Sequence, residues 1–200
     1  MKHKPIRPRL WTKDFSCITV ATVLSAIGGE AMNLPISLLV FDQTQSTLLS
    51  ALILVCGMLP DMILPILVAP LIDKGGKKKW IVGLDVLLAT VYAAMGIWIT
   101  GHAFSYGLYV GFTLVVGTIS VFYRLAFDAW YPSLIPVGAE QRGYSVSATL
   151  YPLVTILMAP VATFLYSHVP MGTLFLVVSG LTVLSCLVEG CIRAVSYTHL

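Results

Sequence analysis

Long apolar stretches alternate with short polar breaks along the whole chain. The stretches cover residues 15–41, 47–72, 80–100, 104–126, 144–167 and 171–192. A helix needs about 20 apolar residues to cross a hydrocarbon slab, and all six stretches reach that length. Strands of a membrane barrel would be about ten residues long and would alternate in polarity, which these runs do not. In lipid each backbone polar group must be paired within its own segment or in a closed barrel. The pattern therefore predicts an all-α membrane protein, a bundle of six transmembrane helices. The breaks at 42–46, 101–103 and 168–170 are short polar turns, so neighbouring helices run antiparallel. The break at 73–79 is short and basic, and only 127–143 has room for a small surface helix.

Composition supports this reading. Hydrophobic residues make up 58% of the 200-residue chain and charged residues 10%, with a mean hydropathy of +0.90. A soluble domain carries about 25% charged residues, so this chain lacks the polar shell that water requires. Residues 1–14 form an N-terminal segment, 15–193 the bundle, and the polar tail 194–200 has the character of a non-native addition. All twelve basic residues fall at the ends that six alternating helices place on one side. By the positive-inside rule that side, with both termini, is expected to face the cytoplasm, which places the protein in the plasma (bacterial cytoplasmic) membrane. The basic N-terminus imitates a signal peptide, but its apolar run is too long and five more spans follow. Cys17, Cys56, Cys186 and Cys191 lie in or beside apolar runs without a CxxC pair, as small buried hydrophobes do.

Polar residues inside the spans are costly and often functional. Glu30, Asn33 and Ser37 share one face of the first helix, with Thr19 and the small Ala26 returning to it, while Ser25 points elsewhere. Two readings stand for Glu30: a proton or cation site on a water-lined wall, or a carboxyl kept neutral by a neighbouring helix for packing. Asp61, next to Pro60, is either a second proton-linked carboxyl or a partner for a backbone group that Pro60 frees. The fourth helix carries Tyr109, Thr113, Gly117, Ser120 and Arg124 near one face. Tyr109 and Thr113 are candidates for lining a substrate cavity, Gly107 and Gly111 for close helix packing, and Arg124 for snorkelling to the interface. The fifth helix adds Tyr151, Thr155 and two prolines, Pro152 and Pro160, that suit a helix able to bend. No HExxH, GxxxxGK[ST] or GxGxxG motif occurs. No enzyme activity, cofactor, metal site or nucleic-acid partner is expected.

The 69–79 connection, Ala69-Pro-Leu-Ile-Asp73-Lys74-Gly75-Gly76-Lys77-Lys78-Lys79, resembles the signature loop of the major facilitator superfamily, G-x-x-x-D-[RK]-x-G-[RK]-[RK]. Asp73, Lys74, Gly76, Lys77 and Lys78 match, and Ala69 replaces the first glycine. Three further segments resemble the drug, macrolide and siderophore exporter branch: Asp14-Phe15-Ser16, the outer turn within 38–48, and the run from Phe122-Tyr123-Arg124 to Pro136. Ala159-Pro160-Val161-Ala162 stands where such exporters carry a glycine-proline motif, with alanines in place of the glycines. The resemblance covers about residues 10–193 and implies the N-terminal half of a twelve-helix transporter, built of two three-helix repeats. It also implies that Asp73 latches two transporter halves, with Asp85 as an acidic partner in the same charge network as Lys74, Lys77 and Lys78.

The expected function is secondary active transport by alternating access, a proton-coupled efflux of a small amphipathic molecule. Glu30 and Asp61 are the proton-coupling candidates, and Asn33, Ser37, Tyr109, Thr113, Tyr151 and Thr155 the cavity candidates. The partners are substrate, protons, the lipid bilayer, and either a C-terminal six-helix half or a second copy of the chain. Alternatives are a facilitator-type importer of a metabolite and a six-helix scaffold subunit without a transport cycle.

Overall fold

Each apolar stretch forms one helix, between 20 and 32 residues long. They are α1 Lys13–Thr44, α2 Thr47–Asp73, α3 Lys77–Gly101, α4 Tyr106–Trp130, α5 Glu140–His168 and α6 Met171–Gly190. The computed structural model describes residues 9–73 and 76–192, except the side chain of Asp73. Lys74, the Asp73 carboxyl, Arg193 and the 194–200 tail, all named from the sequence, lie outside the described residues. Local chemistry sets the helix ends. The Thr12 hydroxyl accepts a hydrogen bond from the Phe15 N–H at 3.3 Å, the usual service of an N-cap threonine. At the far end of α1, Gln45 turns the chain with a φ of 52° and donates its N–H to the Phe41 carbonyl. Pro35, the trio Pro60, Pro65 and Pro70, and Pro152 and Pro160 all sit inside continuous helices.

In the 127–143 break, α4 runs on to Trp130 and a single 3₁₀ turn follows at Tyr131–Leu134. Much of this connection is buried, and it is not a free surface element. Trp130, Tyr131, Leu134, Ile135 and Ala139 join Phe15 and Ile18 of α1 in one apolar cluster. The Tyr131 hydroxyl donates to the Gly143 carbonyl at 2.8 Å, and a Cβ at Gly143 would come within 2.7 Å of the Ile135 side chain.

Packing follows an interleaved plan. α1 lies against α2, α5 and α6, α4 lies against α2 and α3, and α3 lies against α6. The first helix of each three-helix repeat thus packs on the second and third helices of the other repeat. α2 and α5 are peripheral, and expose Met62, Ile66 and Leu67 on one and Ile156, Leu157 and Phe164 on the other. The buried residues form two clusters. One gathers the end where α1, α3 and α5 begin, around Phe15, Ile81 and Trp130; the other lies farther along, around Met32, Tyr92, Tyr109 and Phe175.

The close helix contact is not the expected one. Gly107 and Gly111 are exposed, and a Cβ on either would meet nothing within 4 Å. Within this bundle they therefore pack against no other helix. The α2–α4 approach is made at Gly117, where a Cβ would lie 2.5 Å from the Gly57 carbonyl oxygen. Overpacking such a contact costs about 1–3 kcal/mol. Gly117→Ala is therefore expected to lower the thermal unfolding midpoint in detergent, while Gly107→Ala and Gly111→Ala leave it in place. Equal midpoints for all three variants would contradict the assignment.

Candidate functional site

One side of the bundle, between α2 and α5, carries the polar residues of α1 and α4. Glu30 of α1 is half-buried, and its Oε1 accepts from the Thr155 hydroxyl of α5 at 3.0 Å. The same hydroxyl lies 3.1 Å from the Tyr151 carbonyl, so its single proton is shared between two acceptors. Tyr151, one turn earlier on α5, is 55% exposed. Asn33, one turn beyond Glu30, is also exposed.

Arg124 of α4 does not snorkel alone. Its guanidinium grips both oxygens of Asp61 on α2, Nη1 to Oδ2 at 2.9 Å and Nη2 to Oδ1. This fork-to-fork contact is the stronger form of ion pair. A lone Arg or Asp at the centre of a span costs about 2.5–3.5 kcal/mol to insert, which the mutual contact offsets. Of the two readings open for Asp61, neither named this partner: the carboxyl meets a side chain of α4 and not a backbone group beside Pro60. The interleaved repeats explain the pattern. On this face the first helix of each repeat presents one charged residue, Glu30 on α1 and Arg124 on α4. The middle helix of the other repeat holds it, through Thr155 or Asp61.

Other cavity candidates lie elsewhere. Tyr109 is 1% exposed and stacks on Phe104 with ring centroids 5.2 Å apart. It belongs to the apolar core, because its bulk fills the space between α4 and its neighbours, and it lines no face. Ser37 pairs with Ser50 of α2 at 2.8 Å, and the Ser50 hydroxyl also reaches the Ser37 carbonyl at 2.7 Å. These residues clasp α1 to α2. Thr113 turns its hydroxyl back to the Tyr109 carbonyl at 2.7 Å and its methyl toward Gly57. Ala26 is buried, so the open part of the α1 stripe starts at Glu30.

The basic loop anchors helix ends. Gly76 precedes α3 and is exposed. Lys77 donates to the Ala129 carbonyl of α4 at 2.9 Å. Lys78 donates to the Gly190 and Ile192 carbonyls at the end of α6, at 2.7 and 2.6 Å. Cations suit the unpaired carbonyls at helix C-termini. Asp85 does not join these lysines. It is buried between α3 and α6, with Glu189 as its acidic neighbour. Glu189 escaped the sequence reading, although the test applied to Glu30 fits it: a lone acid in an apolar run, with Ser185 one turn away. A second missed contact joins Asp42 of α1 to the Tyr166 hydroxyl of α5, 2.5 Å apart. Two surface depressions lie along α3, by Trp80 and Leu87 and by Ala89 and Val183. Neither includes Glu30 or Arg124.

Six apolar helices of membrane length, with charged groups gathered on one face, define an integral membrane bundle. The chain belongs to the transmembrane secretion effector family, whose model matches residues 5–182, and it is accordingly a major facilitator-type transporter. Comparison with curated proteins and with solved structures gives no match.

The Asp61–Arg124 pair yields a direct prediction. In a double-mutant cycle of Asp61→Asn and Arg124→Gln, unfolding in detergent should show a coupling of about 1 kcal/mol. The exchanged pair, Asp61→Arg with Arg124→Asp, should recover much of the loss seen with either single replacement. Additive effects with no recovery would contradict the contact.

Proposed function

We propose that the bundle is one half of a proton-coupled exporter of a small amphipathic molecule, working by alternating access. The observation that carries this reading is the placement of Glu30. It is a carboxyl within a span, open on the face between α2 and α5 and held by a single hydroxyl from α5. A protonated carboxyl sits in apolar surroundings at little cost, whereas an ionised one needs water or a cation. Competition of proton and substrate for Glu30 would give exchange of one for the other. Asn33, Tyr151 and Thr155 border the same face and supply hydrogen bonds and an aromatic surface to an amphipathic guest.

Asp61 has a second part in this scheme. A proton on its carboxyl removes the ionic attraction to Arg124 and loosens α2 from α4. The faces of α2 and α5 expose apolar side chains, which suits contact with a second six-helix unit across the substrate path. That unit is a C-terminal half or another copy of the chain. The basic ends face the cytoplasm of a bacterial cell, in keeping with the positive-inside rule.

Glu30→Gln in the full-length transporter is the test. Proton-driven uptake into inverted vesicles, the equivalent of export from the cell, should fall at least tenfold, while substrate counterflow without a gradient is kept. Undiminished proton-driven uptake would remove Glu30 from the coupling.

A further inference from the structure

Behind the polar face lies a second cluster, between the two apolar clusters in the order of residues along α1, α3, α4 and α6. Asp85 of α3 is 2% exposed and Glu189 of α6 is 0% exposed. Their carboxyls lie within reach of one another. Glu189 Oε1 accepts from the Tyr123 hydroxyl of α4 at 2.6 Å. The remaining oxygens, Asp85 Oδ2 and Glu189 Oε2, are buried without a hydrogen-bond partner. Such orphans are rare in native interiors and call for a missing partner.

The neighbours leave these two oxygens unmet. The Ser185 hydroxyl of α6 lies against Asp85, but it is also engaged with the Ala21 carbonyl at 3.1 Å and with Ser25 of α1 at 2.8 Å. The Cys186 thiol, the other titratable group of α6 near the pair, turns to the Val82 carbonyl at 3.7 Å. Lys78, the cation of α3 toward this end, is committed to the Gly190 and Ile192 carbonyls. From α4 the titratable group is Tyr123, already bound to Glu189. α1 contributes Ser25, which does not titrate. Two acceptors with no donor between them are satisfied together by one hydrogen atom, which turns either carboxyl into a donor toward the other. A resident metal ion would call for more ligands, and among the described residues no three His, Cys, Asp or Glu side chains are disposed to hold one.

We propose that Asp85 and Glu189 form a buried proton-binding dyad, sharing one proton between Asp85 Oδ2 and Glu189 Oε2. The dyad is separate from Glu30 and does not depend on the direction of transport. Its proton comes from water. Tyr123 touches the dyad and the next residue, Arg124, holds Asp61, so α4 connects the two charged sites.

Infrared spectroscopy of the purified full chain in lipid reads the proton directly, in the Glu30→Gln background to silence that carboxyl. At neutral pH the carbonyl stretch of a protonated carboxylic acid should be present. It should vanish in both Asp85→Asn and Glu189→Gln, because either amide donates to the carboxylate that remains and no proton is needed. If either variant fails to fold, ¹³C-aspartate and ¹³C-glutamate labelling replaces it, and the band must shift with one label or the other. A band that is absent, that both substitutions leave unmoved, or that shifts with neither label overturns the dyad. Carboxylate bands that instead respond to sodium chloride, and not to choline chloride, assign the pair to a cation and overturn it equally.

Discussion

Inside a hydrocarbon slab a side-chain oxygen or nitrogen has no water to turn to, so each must find a partner in its own helix or in another. That need organises this bundle more than apolar packing does, since lipid is as apolar as leucine and gives helices no hydrophobic reason to associate. The contacts between helices are accordingly made at polar groups and small residues. Ser25 meets Ser185 and joins α1 to α6. Ser37 meets Ser50 and joins α1 to α2. Ser179 reaches the Ala89 carbonyl and joins α6 to α3. Arg124 and Asp61 join α4 to α2, where the glycine contact at Gly117 lets the backbones come close.

The interleaving of the repeats gives these contacts their functional sense. Because α1 packs on α5 and α4 packs on α2, Glu30 and Arg124 of the inner helices are held by Thr155 and Asp61 of the peripheral ones. Each of these contacts ties an inner helix to a peripheral one. The basic loop works at the other extreme. Lys77 and Lys78 pin α3 to the ends of α4 and α6 through backbone carbonyls, which ties three helices together at this end of the bundle.

The six spans were legible in the sequence because length and apolarity alone decide them, and the helix ends fall within a few residues of those expected. The break at 127–143 was legible as the one connection with room for more than a turn, but not that Trp130, Tyr131 and Ile135 would be buried against α1. Periodicity placed Glu30 and Asn33 together on the open face, as the structure does. It failed for Tyr109 and Ser37, since a helical wheel tells which residues share a side but not which helix lies against it. Asp61 and Arg124 were each singled out and not paired, as 63 residues separate them in the chain. Gly107 and Gly111 have the spacing of a packing motif but no neighbour to pack on. Glu189 was passed over near the end of its span, where a carboxyl is ordinarily within reach of water.

The account stands on α1 having a wet side and a dry side. Single cysteines placed along it, in a chain whose four native cysteines are replaced by alanine or serine, report this with a charged, membrane-impermeant thiol reagent applied to both sides of open membranes. Asn33→Cys is predicted to react readily, while Ala31→Cys, Met32→Cys and Ile36→Cys, all on the buried sides of the helix, stay unmodified. No reaction at residue 33 would mean a face sealed by lipid or by another helix, and would contradict the transport path drawn along it.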